Sequence, residues 1–249
     1  VKTGGLYKDD FYIKDKLNSG EYKLNICFKA PSDKLYWSYY WDIPFRYENS
    51  DMFFPISPVY VNNRRQRNKN NVLEPENFLD ITIADKSEKI EIEGLAKEIT
   101  KDADSDYDKL LRINDWVAQN IYYDWDAYLE KSYGRTDAYG TYKSKKSVCQ
   151  GYAELTNALL RSIGIPARIV TGHALGVSAN NRYWDRVNHE GTNHAWNEAF
   201  VDGRWIILDT TWNSGNKFEN GEFIKGNMRY RYFDPNLETF SYTHKIMGI

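Results

Sequence analysis

Cysteine is nearly missing from this 249-residue sequence, which holds two, Cys27 and Cys149. Two cysteines cannot build a disulfide framework or a four-cysteine zinc site. If they paired with each other, no free thiol would be left. A basic excess is missing as well: 33 Lys and Arg stand against 35 Asp and Glu, for a net charge of −2. Nothing in that balance offsets a polyanion, so no nucleic-acid partner is expected. No apolar run approaches the ~20 residues of a membrane span. No signal peptide is visible, and a chain beginning at Val1 reads as trimmed or mature. The expected location is the bacterial exterior, secreted or cell-surface, although a cytoplasmic origin fits the same composition. There is no internal repeat and no low-complexity linker.

Aromatic residues, in contrast, reach 16%, with 20 Tyr and 8 Trp. That points to an aromatic-rich core or to a surface that holds peptides or sugars. Apolar residues at 41% and charged residues at 27% are those of a globular chain. The length suggests one large domain or two small ones.

Residues 1–90 read as a β-rich region. From Glu21 to Lys29 the residues alternate, with Tyr22, Leu24, Ile26 and Phe28 on one face, as in a half-buried strand. Leu35 to Tyr47 is aromatic and extended, with Pro44 as a breaker. The polar run Asn62 to Asn71 reads as a solvated hairpin tip. Ile81 and Ile83, then Ile90 and Ile92, suggest further short strands. These residues carry no chemical cluster. The region is expected to dock on a catalytic domain formed by residues 91–249.

That second part is helical at first. Leu95 to Thr100 suggests a short helix. Ser105 and Asp108 form an S-x-x-D cap, followed by Leu110, Ile113, Val117 and Ile121 at helical spacing. Tyr122–Asp137 is aromatic and irregular. The run from Cys149 to Ile163 is helical, ending at Gly164 with Pro166 beyond. Cys149 therefore sits in the first turn, where unpaired amides and the helix dipole favour a thiolate and could hold an oxyanion. A lone cysteine is, however, more often a small core residue.

Asn193 to Val201 is an extended run, Asp202-Gly203 a two-residue hairpin turn, and Arg204 to Trp212 the return strand. If Val201 faces Arg204, His194 faces Thr211 and Asp209 is its diagonal neighbour on the same face. That is ~7–8 Å at the backbone, within reach of an imidazole and a carboxylate. Asp209 would accept from one ring nitrogen and leave the other to face a thiol. Nucleophile, base and orienting carboxylate are the parts of thiol acyl transfer. Spacing alone does not bring the helix to the hairpin.

Three blocks together resemble the transglutaminase-like superfamily, in its bacterial and peptidase-type branch. They are Val148-Cys149-Gln150-Gly151-Tyr152-Ala153, then Gly164 to Gly172, then His194-Ala195-Trp196-Asn197 with Asp202 to Trp205 and Leu208 to Trp212. Ile121-Tyr122-Tyr123-Asp124 fits the same pattern. The resemblance implies an α+β, papain-like fold, with the Cys helix packed on an antiparallel sheet. It also implies Cys149 as nucleophile, His194 as base and acid, and Asp209 as orienter. The implied activity is thiol-dependent acyl transfer on amide bonds of peptides or proteins, by a peptidase, a deamidase or a protein-glutamine transglutaminase. The alternative is a non-catalytic scaffold that binds a protein or cell-wall partner. The cysteine motifs of peptide N-glycanases and the calcium-binding acidic clusters of animal transglutaminases have no counterpart in the sequence. No cofactor is expected.

The remaining candidates are weaker. His173 follows a strand and reads as a surface-loop histidine. His189 and His194 are poorly spaced for zinc, so no metal is expected. His244 lies in a tail with no partner signature. A second oxyanion donor would come from Gln119, Tyr122 or Tyr123. Trp196, Trp205 and Trp212 suit packing around the hairpin better than a substrate groove.

Overall fold

A computed structural model describes residues 17–29, 36–49, 51–53, 56–71, 73–176, 184 and 193–248. Three antiparallel strands come first: β1 (Gly20–Lys29), β2 (Tyr36–Glu48) and β3 (Asp51–Phe53). The alternating segment and the aromatic run are thus paired strands, with Tyr22 opposite Phe45 and their rings stacked at 5.5 Å. The side chains of residues 36–44 lie outside the described residues, and with them the expected docking of the aromatic run.

The polar run corrects the hairpin-tip reading, because it forms helix α1 (Tyr60–Asn70). This helix docks through amides and guanidinium groups instead of apolar side chains. Asn63 Nδ2 donates to the His244 carbonyl at 2.7 Å, and Asn63 Oδ1 accepts from the Ile246 N–H at 2.8 Å. Asn62 Nδ2 donates to the Ile246 carbonyl at 2.9 Å. One turn on, Arg67 Nη2 donates to the Trp205 carbonyl at 2.7 Å, and its Nε lies 2.9 Å from Glu198 Oε1. Glu198 is fully buried and also holds Arg168, whose Nη2 is 2.6 Å from Oε2.

Ile90 and Ile92 are not in a strand. They belong to helix α2 (Lys86–Thr100), which runs across residue 90 and is capped by Asp85, whose side chain accepts from the Ser87 and Glu88 N–H groups. Ile92, Ala96 and Thr100 recur every four residues on its buried face. Ile81 and Ile83 lie in no regular element. Helix α3 (Asp106–Asn120) starts as expected, with Ser105 Oγ accepting from the Asp108 N–H at 3.1 Å.

The chain continues through β4 (Tyr122–Asp124), α4 (Trp125–Glu130), α5 (Ala138–Ser144) and β5 (Lys146–Ser147) to helix α6 (Cys149–Ser162). Next come β6 (Ala167–Ala174), β7 (Asn193–Val201), β8 (Arg204–Leu208) and α7 (Thr210–Asn213). Strands β9 (Lys217–Glu219) and β10 (Glu222–Ile224), helix α8 (Leu237–Phe240) and β11 (His244–Gly248) complete it. One sheet has the order β10-β9-β4-β5 and another β11-β6-β7-β8. No helix among the described residues is long and apolar enough to cross a membrane.

The antiparallel sheet β11-β6-β7-β8 organises the second part. Ala167, Ala199, Val201, Ile206 and Leu208 join Leu155, Leu159 and Leu160 of α6 in one core, with α2 and α3 behind. Val170, Trp196 and Ile207 join Tyr232, Phe240 and Ile246 in a second. Each fully buried leucine contributes about 1.5–3 kcal/mol. Gly172 in β6 lets β11 lie close: a Cβ there would stand 2.0 Å from the Lys245 carbonyl oxygen. This is the α+β arrangement expected, a Cys helix packed on an antiparallel sheet.

Candidate active site

The hairpin holds the expected register. Val201 faces Arg204 and Asn197 faces Leu208, across a turn in which Asp202 and Gly203 both have positive φ, 52° and 75°. The return strand is shorter than expected. It ends at Leu208, and the chain turns into α7 because Asp209 caps that helix, its Oδ1 accepting from the Trp212 N–H at 3.0 Å. His194 therefore has no strand partner at Thr211. It pairs instead with Gly172 of β6. The parity argument survives this change, and His194 Nε2 lies 2.6 Å from Asp209 Oδ2.

Cys149 is a free cysteine in the first turn of α6. The His194 ring and the Ala195 backbone N–H are both close enough to its sulfur to stabilise the thiolate. Since Nε2 of His194 is turned to Asp209, Nδ1 is the nitrogen left for the sulfur. The structure thus places Cys149 beside the hydrogen-bonded pair of His194 and Asp209.

Two side chains outside the expected set hold the helix to the hairpin. Asn197 Nδ2 donates to the Ala153 carbonyl of α6 at 3.0 Å. Thr156 and Thr210 hydroxyls meet at 3.1 Å. Both Asn197 and Thr210 lie inside the quoted motifs, Asn197 three residues after His194 and Thr210 directly after Asp209, which is the sequence signal that could have found them.

The charges follow from burial against pairing. Burial pushes the Cys149 thiol up, but the His194 bond and charge, with the Ala195 N–H, hold it below the ordinary thiol range. Burial disfavours protonated His194, yet Asp209 and Cys149 raise it to about 10. Burial likewise works against ionised Asp209, and His194 and His244 keep it well below the usual carboxylate range. Pairing thus favours the charged form of each of the three groups against burial.

His244 corrects the expectation of a partnerless tail residue. It is fully buried, and its Nε2 lies 3.1 Å from Asp209 Oδ2. His194, Asp209 and His244 place three ligand-capable atoms within 4.8 Å of one another. The 2.6 Å and 3.1 Å separations are hydrogen-bond lengths. Ligands at ~2.0–2.1 Å from a tetrahedral zinc would stand about 3.3 Å apart, so protons account for this set better than a metal ion does.

Among the other candidates, Gln119 is exposed and turned to Met228. Tyr123 is close enough to Cys149 to feel its charge; burial first, then that charge, raises its phenol. His173 stands on β6 opposite Asn193 and Lys245, not on a loop. His189 lies outside the described residues. Trp196 and Trp205 are buried, Trp205 beneath the Arg168 guanidinium at 3.8 Å. Trp212 packs against His194 at 5.5 Å and His244 at 4.6 Å.

Residues 93–210 match the family model of the Transglutaminase-like superfamily, so this part of the chain is similar to a transglutaminase-like domain. That interval contains Cys149, His194 and Asp209 but not His244. Kyphoscoliosis peptidase of Mus musculus and of Homo sapiens is 29% identical over 138 residues, which is 55% of this chain and 20% of the relative. A candidate cysteine protease of Cytophaga hutchinsonii is 26% identical, with a TM-score of 0.40, over 65% of this chain and 47% of that one. The periplasmic domain of TgpA from Pseudomonas aeruginosa is 21% identical, with a TM-score of 0.43, over 55% of this chain and 46% of that one. The chain spans about a fifth of the length of those curated relatives.

Proposed function

We propose that this protein is a thiol-dependent acyl-transfer enzyme acting on amide bonds of peptides or proteins, with Cys149 as nucleophile, His194 as base and acid, and Asp209 as orienter. The observation that carries the reading is the 2.6 Å contact of His194 Nε2 with Asp209 Oδ2, beside a Cys149 thiol that His194 lowers. The Cys149 thiolate attacks the amide carbonyl carbon, and the carbonyl π pair moves to oxygen. The amide at the start of α6 is one donor for that oxyanion. Imidazolium His194 gives its proton to the leaving nitrogen as the C–N bond breaks, leaving a thioester on Cys149. Neutral His194 then takes a proton from the acceptor that attacks the thioester, and the thiolate leaves. Water as acceptor makes the enzyme a peptidase or deamidase; an amine makes it a transglutaminase. The peptidase name of the curated relatives supports hydrolysis.

The test is mass spectrometry of the intact chain quenched in acid after exposure to unfolded proteins and glutamine-containing peptides. The proposal expects a hydroxylamine-labile acyl adduct on Cys149, absent from Cys149→Ala, and release of either ammonia or a peptide amine. No adduct, together with a Cys149 as slow toward alkylation as a free thiol, would instead favour a binding scaffold.

A further inference from the structure

His244 is a fully buried titratable group that the proposed chemistry leaves without a role. It begins β11, and that strand is fixed from two sides. Asn63 of α1 holds the His244 carbonyl at 2.7 Å, and Gly172 admits the strand close to β6. The ring is enclosed by aromatic side chains, stacked on Phe240 at 4.1 Å and edge-on to Trp212 at 4.6 Å and Trp196 at 5.2 Å. Phenylalanine would fill that space equally well. What phenylalanine lacks are the two ring nitrogens, and both are used: Nε2 lies 3.1 Å from Asp209 Oδ2, and Nδ1 lies 2.9 Å from Thr243 Oγ1.

A neutral imidazole has one donor and one acceptor. With Asp209 ionised, the proton belongs on Nε2, and Nδ1 then accepts from the Thr243 hydroxyl. The row runs Thr243, His244, Asp209, His194. Asp209 is held at three points: Oδ1 by the Trp212 N–H at 3.0 Å, and Oδ2 by both histidines. Without His244, the oxygen that orients His194 would keep a single partner, and the carboxylate would be free to rotate about the other.

We infer that His244 is a positioning residue of this site: through Nε2–H it fixes the Asp209 carboxylate, so that Asp209 holds the His194 ring against Cys149. The inference rests on the thiol-enzyme reading above. Burial keeps His244 neutral, bringing it down to about 4 against the pull of Asp209, with the charges of His194 and Arg231 acting in the same direction as burial. It therefore donates to Asp209 at neutral pH without competing with His194 for the negative charge.

The test is the rate of Cys149 alkylation by iodoacetamide against pH in the full chain, with thermal melts confirming folding. His244→Phe keeps the packing and removes the donor; His244→Gln restores a donor near the Nε2 position. The expected result is a His244→Phe midpoint moved up toward the ordinary thiol value of ~8.5, a rate at pH 6 lowered tenfold or more, and recovery of most of that loss in His244→Gln. A wild-type profile in folded His244→Phe, while His194→Gln loses the acidic reactivity, overturns the inference and leaves the thiol reading standing. If His194→Gln itself keeps the wild-type profile, the thiol reading falls and this inference with it. Should His244→Phe not fold, Thr243→Val decides, since it leaves the ring in place and removes the hydroxyl that sets its tautomer. An upward midpoint shift there supports the role, and an unchanged profile overturns it.

Discussion

Gly172→Ala is expected to be among the most damaging single-methyl additions to this chain. The added Cβ would stand 2.0 Å from the Lys245 carbonyl oxygen and 2.8 Å from Trp196 Cη2, where ordinary contact begins at 3.4 Å. The nearest obstacle is backbone, so relief requires β6 and β11 to separate by about 1.4 Å, the difference between those two distances. A displacement of that size takes the 3.1 Å bond between His244 and Asp209 out of hydrogen-bonding range. Overpacking costs about 1–3 kcal/mol, and a hydrogen bond to a charged group about 1.5–3 kcal/mol. Together they put the loss near 4 kcal/mol. At roughly 2–4 °C per kcal/mol for a chain of this size, Tm should fall by about 8–16 °C. Urea unfolding should show a lower midpoint with unchanged slope. A variant melting within about 2 °C of the wild type would refute the close approach of β11 and the argument built on it.

Other outcomes follow from the same contacts. Glu198→Gln leaves buried Arg168 and the partly buried Arg67 facing an uncharged amide, and breaking such a pair costs about 3–5 kcal/mol; a urea midpoint equal to the wild type would contradict this. Asp209→Asn removes the charge that favours protonated His194, so turnover should fall by a large factor, on the order of 10⁴ in the serine-protease precedent, while secondary structure by circular dichroism is kept. In acid, two groups act in the same direction. His244 is depressed to about 4, so its contribution is complete above its unfolded value and is lost as pH falls from about 6.5 to 4, on the order of 3 kcal/mol. Depressed Asp209 adds a loss at still lower pH. On the alkaline side, raised His194 loses stability as pH climbs toward about 10, and lowered Cys149 gains it up to the ordinary thiol value, so the two offset each other in the range they share. Tm should therefore be nearly flat from about pH 6.5 to 9 and fall below 6.5, and His244→Phe should flatten the slope between 6.5 and 4.

Much of the site was legible because its parts are local. The α6 start at Cys149, the Asp202-Gly203 turn and the period of two along β7 each follow from adjacent residues. The hairpin register then fixed the parity of His194 and Asp209. The early end of β8 was hidden because Asp209-Thr210-Thr211-Trp212 can extend a strand or cap a helix, and the choice depends on which carbonyls and amides surround Asp209. Helix α1 escaped notice because hydrophobic periodicity was the criterion. Its docking residues Asn63 and Arg67 do stand four positions apart, but both are polar and find their partners more than 130 residues away. Ile90 and Ile92 imitate a strand until Ala96 and Thr100 are counted with them. His244 could not be read at all: its partner is 35 positions upstream and reaches it only through the pairing of β11 with β6.

The proposed ion pair between Cys149 and His194 is measured most directly by the pH dependence of Cys149 alkylation. The wild-type chain should react with iodoacetamide at mildly acidic pH, with a midpoint well below the ordinary thiol value of ~8.5. His194→Gln should move the midpoint to that value or above it, since burial of the sulfur remains when its partner is gone. A wild-type midpoint at or above ~8.5, or one that His194→Gln leaves in place, would contradict the account.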